Sequence, residues 1–186
     1  MVGKGRRAVH PRLMIEWGPG LTDKELEEAQ ERYGVRFPPD MVDLYRERWP
    51  TKAYDWSKED ARIRERLVWP LDMLLWGVEH GSWWAEWGVK PAEKYAREEI
   101  VRDAVAAAPR LIPLFGHRFI PESPHEPGNP VFSMYGFDTI YYGSNLEEYF
   151  SNEFRGEREF KEWPVRHILF WSDLAAQDDR CIFEEE

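Results

Sequence analysis

The first third of the chain alternates apolar and polar residues with the period of an α-helix. Thr22 and Glu25 have the spacing of a capping box, and Leu21 and Leu26 have the spacing of a hydrophobic staple. A first helix is therefore predicted to begin at this point. Gly34 is predicted to end it, because glycine readily adopts the left-handed conformation that follows a helix.

Two more helices are predicted before residue 70. The second opens at Pro38 and Pro39, where the missing N–H of proline is tolerated, and stops at Trp49-Pro50. Its core face is formed by residues at helical spacing, namely Met41, Leu44, Tyr45 and Trp49. A third helix is predicted from Ser57, with Asp60 at its third position, to Val68.

From Trp69 onward the pattern becomes that of strands and turns. Residues 73–79 are predicted as a strand, Gly81 as a turn, and residues 82–84 as the start of another extended segment. A long helix is then predicted to begin at Pro91 and to end at Pro109. Its inner face consists of apolar residues, namely Tyr95, Ile100, Val101, Ala104, Val105 and Ala108.

The remaining pattern predicts short strands and one more helix. Residues 111–115 and 118–120 form extended segments, 121–128 a proline-rich loop, and 131–135 with 139–142 a hairpin turning at 136–138. Ser144 is predicted to cap the helix, with Glu147 at its third position. Its inner face consists of Leu146, Tyr149, Phe150 and Phe154. The whole pattern predicts an α+β fold, with helices packed around a largely antiparallel central sheet.

Length and composition fit one globular domain. We expect a flexible basic arm over residues 1–12 and a single α+β domain over 13–186. Aromatic residues make up 15% of the chain and include ten tryptophans. The single cysteine, Cys181, excludes an intrachain disulfide and fits a reducing compartment. Since no stretch is long and apolar enough to span a bilayer, we expect a cytoplasmic protein without membrane contact.

The charge of the chain is negative and unevenly distributed. Its formal net charge is −10, although the arm carries four basic residues and no acidic residue, which leaves −14 for the rest. An acidic body repels phosphate and attracts basic partners, so nucleic acid is not an expected partner. The acidity has a simpler alternative explanation, which is that it only keeps the protein in solution.

Catalytic motifs are absent from the sequence. The five histidines lack the spacing of zinc ligands, and no nucleophile elbow or phosphate-binding glycine loop occurs. We therefore expect no catalytic residue, no metal and no cofactor. The alternative is a metal- or histidine-dependent enzyme in which His117, His125 and a carboxylate such as Glu79 converge. A Cys181–His167 pair is disfavoured because acidic neighbours would raise the pKa of the thiol.

The densest aromatic groups are Trp83, Trp84 and Trp87, and the pair Tyr141-Tyr142. Adjacent residues of a strand point to opposite faces, so one ring of each neighbouring pair would face outward. Aromatic residues are enriched in recognition surfaces, which favours a binding role. The alternative is that these rings pack in the core.

Three blocks of residues, in this order, resemble the SUKH superfamily. They span about residues 17–155, which is most of the chain, and comprise Leu21-Thr22-x-x-Glu25 with 33–40 and Leu44; 74–79 with Trp83-Trp84 and Trp87-Gly88; and 112–121 with 128–133 and 140–143. The candidate binding residues lie in the last two blocks: Glu79, Trp83, Trp84, Trp87, His117, Arg118, Tyr141 and Tyr142. The chain departs from the family after the second helix. There, residues 46–50 replace a turn that is rich in glycine and asparagine in many relatives.

The resemblance implies a SUKH-like α+β fold and a non-enzymatic role in protein binding. Bacterial members are often immunity proteins that neutralise a polymorphic toxin, frequently a nuclease. A basic toxin domain would explain the acidic body, which could mimic a nucleic-acid substrate. The alternative is an intracellular scaffold or regulator, similar to the fungal cell-wall-assembly members. The partner, its contact face and the oligomeric state stay open.

Overall fold

The structure is a computed structural model that describes residues 16–51, 53–155 and 165–176. Within these residues the chain forms six α-helices and two antiparallel sheets, so the predicted α+β class is confirmed. The helices are α1 (Asp23–Tyr33), α2 (Pro39–Glu47), α3 (Ala61–Glu79), α4 (Lys94–Ala107), α5 (Leu146–Phe150) and α6 (Trp171–Ala175). The strands are β1 (Trp17–Pro19), β2 (Arg48–Pro50), β3 (Leu111–Phe115), β4 (Arg118–Pro121), β5 (Val131–Tyr135) and β6 (Asp138–Gly143).

The beginning of α1 follows the prediction. The Thr22 amide donates to Glu25 Oε2 at 2.8 Å, and the Thr22 hydroxyl accepts from the Glu25 amide, which completes the capping box. Gly34 follows the helix with a φ of 62°. Helix α2 ends at Glu47, two residues before the predicted stop. Trp49 therefore belongs to strand β2, where it pairs with Gly18 of β1, and is not part of the helix face.

Strands β3 to β6 form an antiparallel meander in sequence order. Because side chains alternate along each strand, the two faces of this sheet support separate core clusters. Ile112, Ile120 and Val131 face the first cluster, with α1, α2 and α5. Phe119 and Phe132 face the second cluster, with α4 and α6.

The largest difference between the sequence prediction and the structure concerns helix α3. It continues through Pro70 to Glu79, so residues 73–79 are helical and do not form a strand. Ile63 and Leu67 pack into the first core cluster, whereas Leu74 and Val78 pack into the second. Apolar burial on both sides of Pro70 offsets the helix bond that proline cannot make, about 3 kcal/mol.

The contacts of α3 place it across the end of the sheet that carries the two hairpin turns. Trp69 Nε1 donates to the carbonyl oxygen of Met134 at 3.2 Å. A Cβ atom at Gly136 would lie 2.8 Å from the carbonyl oxygen of Met73, and one at Gly77 would lie 2.7 Å from the Phe137 ring. These contacts hold helix α3 in a fixed position relative to the sheet.

Several smaller predictions differ from the structure by a few residues. Helix α3 is capped by Asp60 and does not begin at Ser57, and α5 is capped by Asn145 in place of Ser144. Asp138 opens β6, so the hairpin turn is shorter than predicted. Tyr95 lies outside the core, with 75% of its surface exposed. Residues 82–84 belong to no strand and lead into a short 3-10 helix, Ala85–Trp87.

Some sequence predictions concern residues that the structure does not describe. The basic arm over 1–12, Cys181 and the acidic residues 184–186 lie outside the described ranges. Among the described residues, no helix combines the length and apolar character needed to cross a membrane.

Candidate functional site

The two predicted binding tyrosines lie on opposite faces of the four-stranded sheet. Tyr142 packs beside the first core cluster, 6.2 Å from the ring of Tyr149. Tyr141 packs beside the second cluster, 5.1 Å from the ring of Phe132. Burial raises the pKa of the Tyr141 hydroxyl. The alternation of these neighbours is as expected for a strand, but both rings are half-buried and neither forms an open aromatic surface.

Arg118 is held by groups of the protein itself. Its guanidinium lies 3.3 Å from the Glu153 carboxylate, and Nη1 donates to the Ser133 hydroxyl at 2.8 Å. The same group lies 3.8 Å from the centre of the Tyr142 ring. The side chains of Arg118 and Glu153 are only 13% and 11% exposed. Arg118 therefore stabilises the fold and has little freedom to meet a partner.

His117 occupies the exposed turn between β3 and β4, with its ring 6.4 Å from that of Tyr135. Desolvation, together with the nearby charge of Arg118, lowers its pKa. His125 follows β4, whereas His117 precedes it, so the strand separates them by roughly 13 Å along its length. The geometry therefore does not support a metal site shared by these two histidines. No cluster of three or more metal-ligating side chains occurs within the described ranges.

The tryptophans after α3 pack against one another and against the second core cluster. The Trp87 ring lies 5.2 Å from Trp83 and 5.6 Å from Trp84, and the Trp84 ring lies 5.4 Å from Phe170. Trp83 Nε1 donates to the carbonyl oxygen of Gly88. Because these residues form a loop and not a strand, neighbouring rings need not point to opposite faces as the sequence analysis expected. All three rings are half-buried and cover the core.

Glu79 and His80 lie at the C-terminal end of α3, where they form separate contacts. Glu79 Oε1 accepts from Lys94 Nζ at 2.7 Å, and this contact lowers the pKa of the carboxyl. The His80 ring lies 4.1 Å from the ring of Trp76, and its Nδ1 is 2.7 Å from the carbonyl oxygen of Trp76. These contacts do not join Glu79 and His80 as an acid–base pair.

The outer side of α3 presents an ordered stripe of aromatic and acidic residues. We call this stripe the α3 seam, and it consists of Glu65, Trp69, Asp72, Trp76 and Glu79. The members follow one another at intervals of four, three, four and three residues, which places them on one side of a helix. Trp76 is 52% exposed, and Val68, beside the seam, is 53% exposed.

Neighbouring aromatic residues extend the seam toward the hairpin turns. The Trp69 ring lies 5.8 Å from Tyr135, which is 51% exposed, and the guanidinium of Arg66 lies 4.2 Å from the centre of the Trp69 ring. The surface thus combines tryptophan, tyrosine and arginine, the residue types most enriched at energetically important positions of protein interfaces.

Sequence reasoning identified only Glu79 of this surface. The intervals between the five members were visible in the sequence, but they signify a surface only if residues 69–79 are helical. The apolar run at residues 73–79 favoured the strand prediction, which separated the two halves of the seam. The heptad-like spacing across Pro70 is the signal that could have revealed it.

A shallow cavity of about 200 Å³ lies beside the first half of α3. Its lining includes Tyr54, Arg62, Glu65, Arg66 and Phe115. The Tyr54 hydroxyl donates to the carbonyl oxygen of Gly116 at 2.8 Å, and Arg62 is paired with Asp60 at 2.6 Å. The polar groups of Tyr54 and Arg62 are therefore already engaged by the protein itself.

Comparison with protein-family models, curated proteins and solved structures found no match to the chain. The resemblance to the SUKH superfamily therefore depends on the three sequence blocks. The first block forms α1 and the beginning of α2, the second forms the end of α3 with the tryptophan loop, and the third forms much of the sheet.

Proposed function

We propose that this protein is a non-enzymatic binding domain that recognises another protein, and that it serves as an immunity protein against a basic toxin domain. The α3 seam is the observation that carries the proposal. It exposes the ring of Trp76 between the carboxylates of Asp72 and Glu79, beside the half-buried Trp69, on a helix held firmly against the sheet. A tryptophan that is half exposed is costly to leave in water and is typical of a contact surface.

The charge of the molecule supports a basic partner. The net charge is −10, and α1 alone carries five acidic residues against two basic ones. Such a field accelerates the encounter with a positively charged protein, and a nuclease needs positive charge to hold its substrate. The three blocks that resemble the SUKH superfamily point to the same class of partner.

Co-expression tests the proposal directly. Each toxin-like gene beside this one is expressed in a bacterial host, with and without the protein. We expect one product to stop growth alone and to be tolerated when the protein is present, and we expect the purified pair to form a complex. The proposal fails if no neighbouring product is bound or neutralised.

A pull-down combined with the gene neighbourhood distinguishes the immunity proposal from the scaffold alternative. A pull-down from the native host that recovers a resident protein, in a genome without an adjacent toxin gene, would replace the immunity proposal with a regulatory role. Binding of a toxin domain at submicromolar concentration would instead support immunity, because transient regulatory contacts are commonly weaker.

A further inference from the structure

We propose that the α3 seam is the docking site for a basic α-helix of the partner, which packs alongside α3. The inference deepens the proposed function and rests on it, because it names the contact surface and the structural element that the surface receives. A helix can dock there only if the residues of the seam repeat at helical spacing and the carboxylates of the seam are free to form new ion pairs. A second copy of the chain must also fit the seam poorly.

The spacing of the seam matches the repeat of a helix. Trp69 and Trp76 are seven residues apart, as are Glu65 and Asp72, and Asp72 and Glu79. At 1.5 Å per residue, each pair is separated by about 10.5 Å along the axis. A second helix packed at a small angle repeats its own contact residues every seven positions, which is about the same distance. A strand repeats every two residues and would not stay in register.

The acidic members of the seam are available for a partner. Within the described residues, neither Glu65 nor Asp72 takes part in an ion pair or a side-chain hydrogen bond. Glu79 is paired with Lys94, but both groups are more than half exposed, so the pair can be exchanged for another at little cost. Lysine or arginine at seven-residue spacing on the incoming helix would meet these carboxylates.

A second copy of this chain does not fit the seam. In a symmetric antiparallel pair, Asp72 would face Asp72, and Glu65 would face Glu79 of the other copy. A parallel pair would place each acid beside the same acid. Like charges directly opposite one another destabilise both arrangements. The occupant is therefore a helix of opposite charge from another protein.

The two tryptophans are positioned to act as anchors. Trp69 is oriented by its hydrogen bond to the Met134 carbonyl oxygen and by the ring of Tyr135. Trp76 is supported on one side by the ring of His80. Side chains that are held before binding lose less conformational entropy in the complex, so their burial contributes more to affinity. Small aliphatic residues of the partner helix would fit between these rings.

A synthetic peptide tests the proposal without knowledge of the toxin. The probe is a capped, helix-forming peptide of three heptads, here called the lysine peptide. One face carries lysine and alanine in alternation at intervals of four and three residues. The control peptide has the same composition, with its lysines distributed around the helix. Fluorescence anisotropy at 150 mM salt measures the Kd of each, and we expect the lysine peptide to bind about tenfold more tightly.

Variants of the full chain then locate the site. We expect Trp76→Ala and Asp72→Lys each to weaken binding of the lysine peptide by about tenfold, as for a central interface residue. Glu27→Lys makes the same charge change on the exposed face of α1 and should alter the Kd less than threefold. Thermal unfolding monitors folding of every variant. Both seam residues are exposed, so their substitution should leave the fold intact.

Two outcomes of the peptide measurements overturn the proposal. In one, the lysine peptide binds no better than the control peptide; in the other, Glu27→Lys weakens binding as much as Asp72→Lys does. Co-expression separates these results from the fate of the proposed function. If the seam variants still neutralise a toxin as well as the original chain, the immunity function stands and the α3 docking site is wrong.

Discussion

At the scale of single residues, the candidate binding residue Arg118 lies in a largely buried ion pair with Glu153. Both side chains are mostly buried, and Arg118 also contacts Ser133 and the ring of Tyr142. Removing one member of a buried pair leaves the other charge without compensation, and this loss typically exceeds the net contribution of the pair. Arg118 should therefore influence stability more than binding.

We expect Arg118→Ala to lower the free energy of unfolding by about 3 kcal/mol, because Glu153 would be left as an unpaired buried carboxylate. Urea denaturation at pH 7 measures the change. The control is Arg102→Ala, which removes an arginine that is 54% exposed and paired with Glu98 at 3.6 Å. Its effect should stay within about 0.5 kcal/mol. Similar losses for the two variants would contradict the structural role of Arg118.

The buried hydroxyl of Tyr149 predicts a loss of stability at alkaline pH. Burial raises its pKa, so as the pH rises above about 10 the unfolded chain releases this proton before the folded chain does. The contribution of the protonated Tyr149 hydroxyl to the stability of the fold is thus complete below about pH 10. Above it, stability falls by up to about 1.4 kcal/mol per pH unit until the folded group also ionises.

Tyr149→Phe should reduce this alkaline decline, as measured by urea denaturation between pH 8 and pH 11.5. The hydroxyl has no hydrogen-bond partner in the described part of the chain, so the same substitution should change stability at pH 7 by less than about 1 kcal/mol. Tyr95→Phe is the matched control, because Tyr95 lies on the surface of α4 and should leave the decline as it was. An unchanged decline in Tyr149→Phe would argue against the buried state of its hydroxyl.

At the scale of elements, the position of α3 depends on its close packing against the β5–β6 turn. Gly77→Ala would place a methyl group 2.7 Å from the Phe137 ring, which itself packs 5.9 Å from Trp87. We expect this substitution to lower the free energy of unfolding by about 1–3 kcal/mol, since overpacking forces neighbouring groups to shift. Chemical denaturation measures the loss.

A double-mutant cycle checks that the loss comes from this contact. Phe137→Leu in the Gly77→Ala background should recover part of the stability, because the smaller side chain leaves room for the methyl group. Strict additivity of the two substitutions would show that the helix and the turn are not coupled at this point, and that α3 is positioned by other contacts.

The success of sequence reasoning differed between elements for identifiable physical reasons. Helix α1 was predicted well because its capping box and Gly34 are local signals that act within a few residues. The strands β3 to β6 were also predicted, since turns and apolar runs mark their ends. The second half of α3 was missed because its helical state depends on burial of Leu74 and Val78 against distant strands, which outweighs the local effect of Pro70.

The candidate site was predictable only where it did not depend on α3. Tyr141 and Tyr142 alternate across the sheet as expected, because strand geometry alone determines their directions. The seam required knowledge that residues on both sides of Pro70 share one helix. The burial of Arg118 was equally hidden, since its partner Glu153 is 35 residues away in the sequence and lies in the helical turn Ser151–Arg155 that follows α5.

At the scale of the whole molecule, the negative charge and the seam should govern different stages of binding. The charge of the whole body acts at a distance, over a Debye length of about 10 Å at 0.1 M salt, and so affects the rate of encounter. The tryptophans of the seam act only on contact and so affect how long a complex lasts. Kinetics with the lysine peptide can separate the two.

We expect the association rate constant of the lysine peptide to fall by roughly tenfold between 50 and 500 mM salt, while the dissociation rate constant changes much less. Glu27→Gln with Glu31→Gln removes two charges from the exposed side of α1 and should slow association at 50 mM salt without altering dissociation. Trp76→Ala should do the opposite, because it removes contact area and leaves the net charge unchanged. Stopped-flow anisotropy measures both constants. If the α1 variant accelerates dissociation as Trp76→Ala does, α1 belongs to the contact surface, and the assignment of docking to α3 alone is wrong.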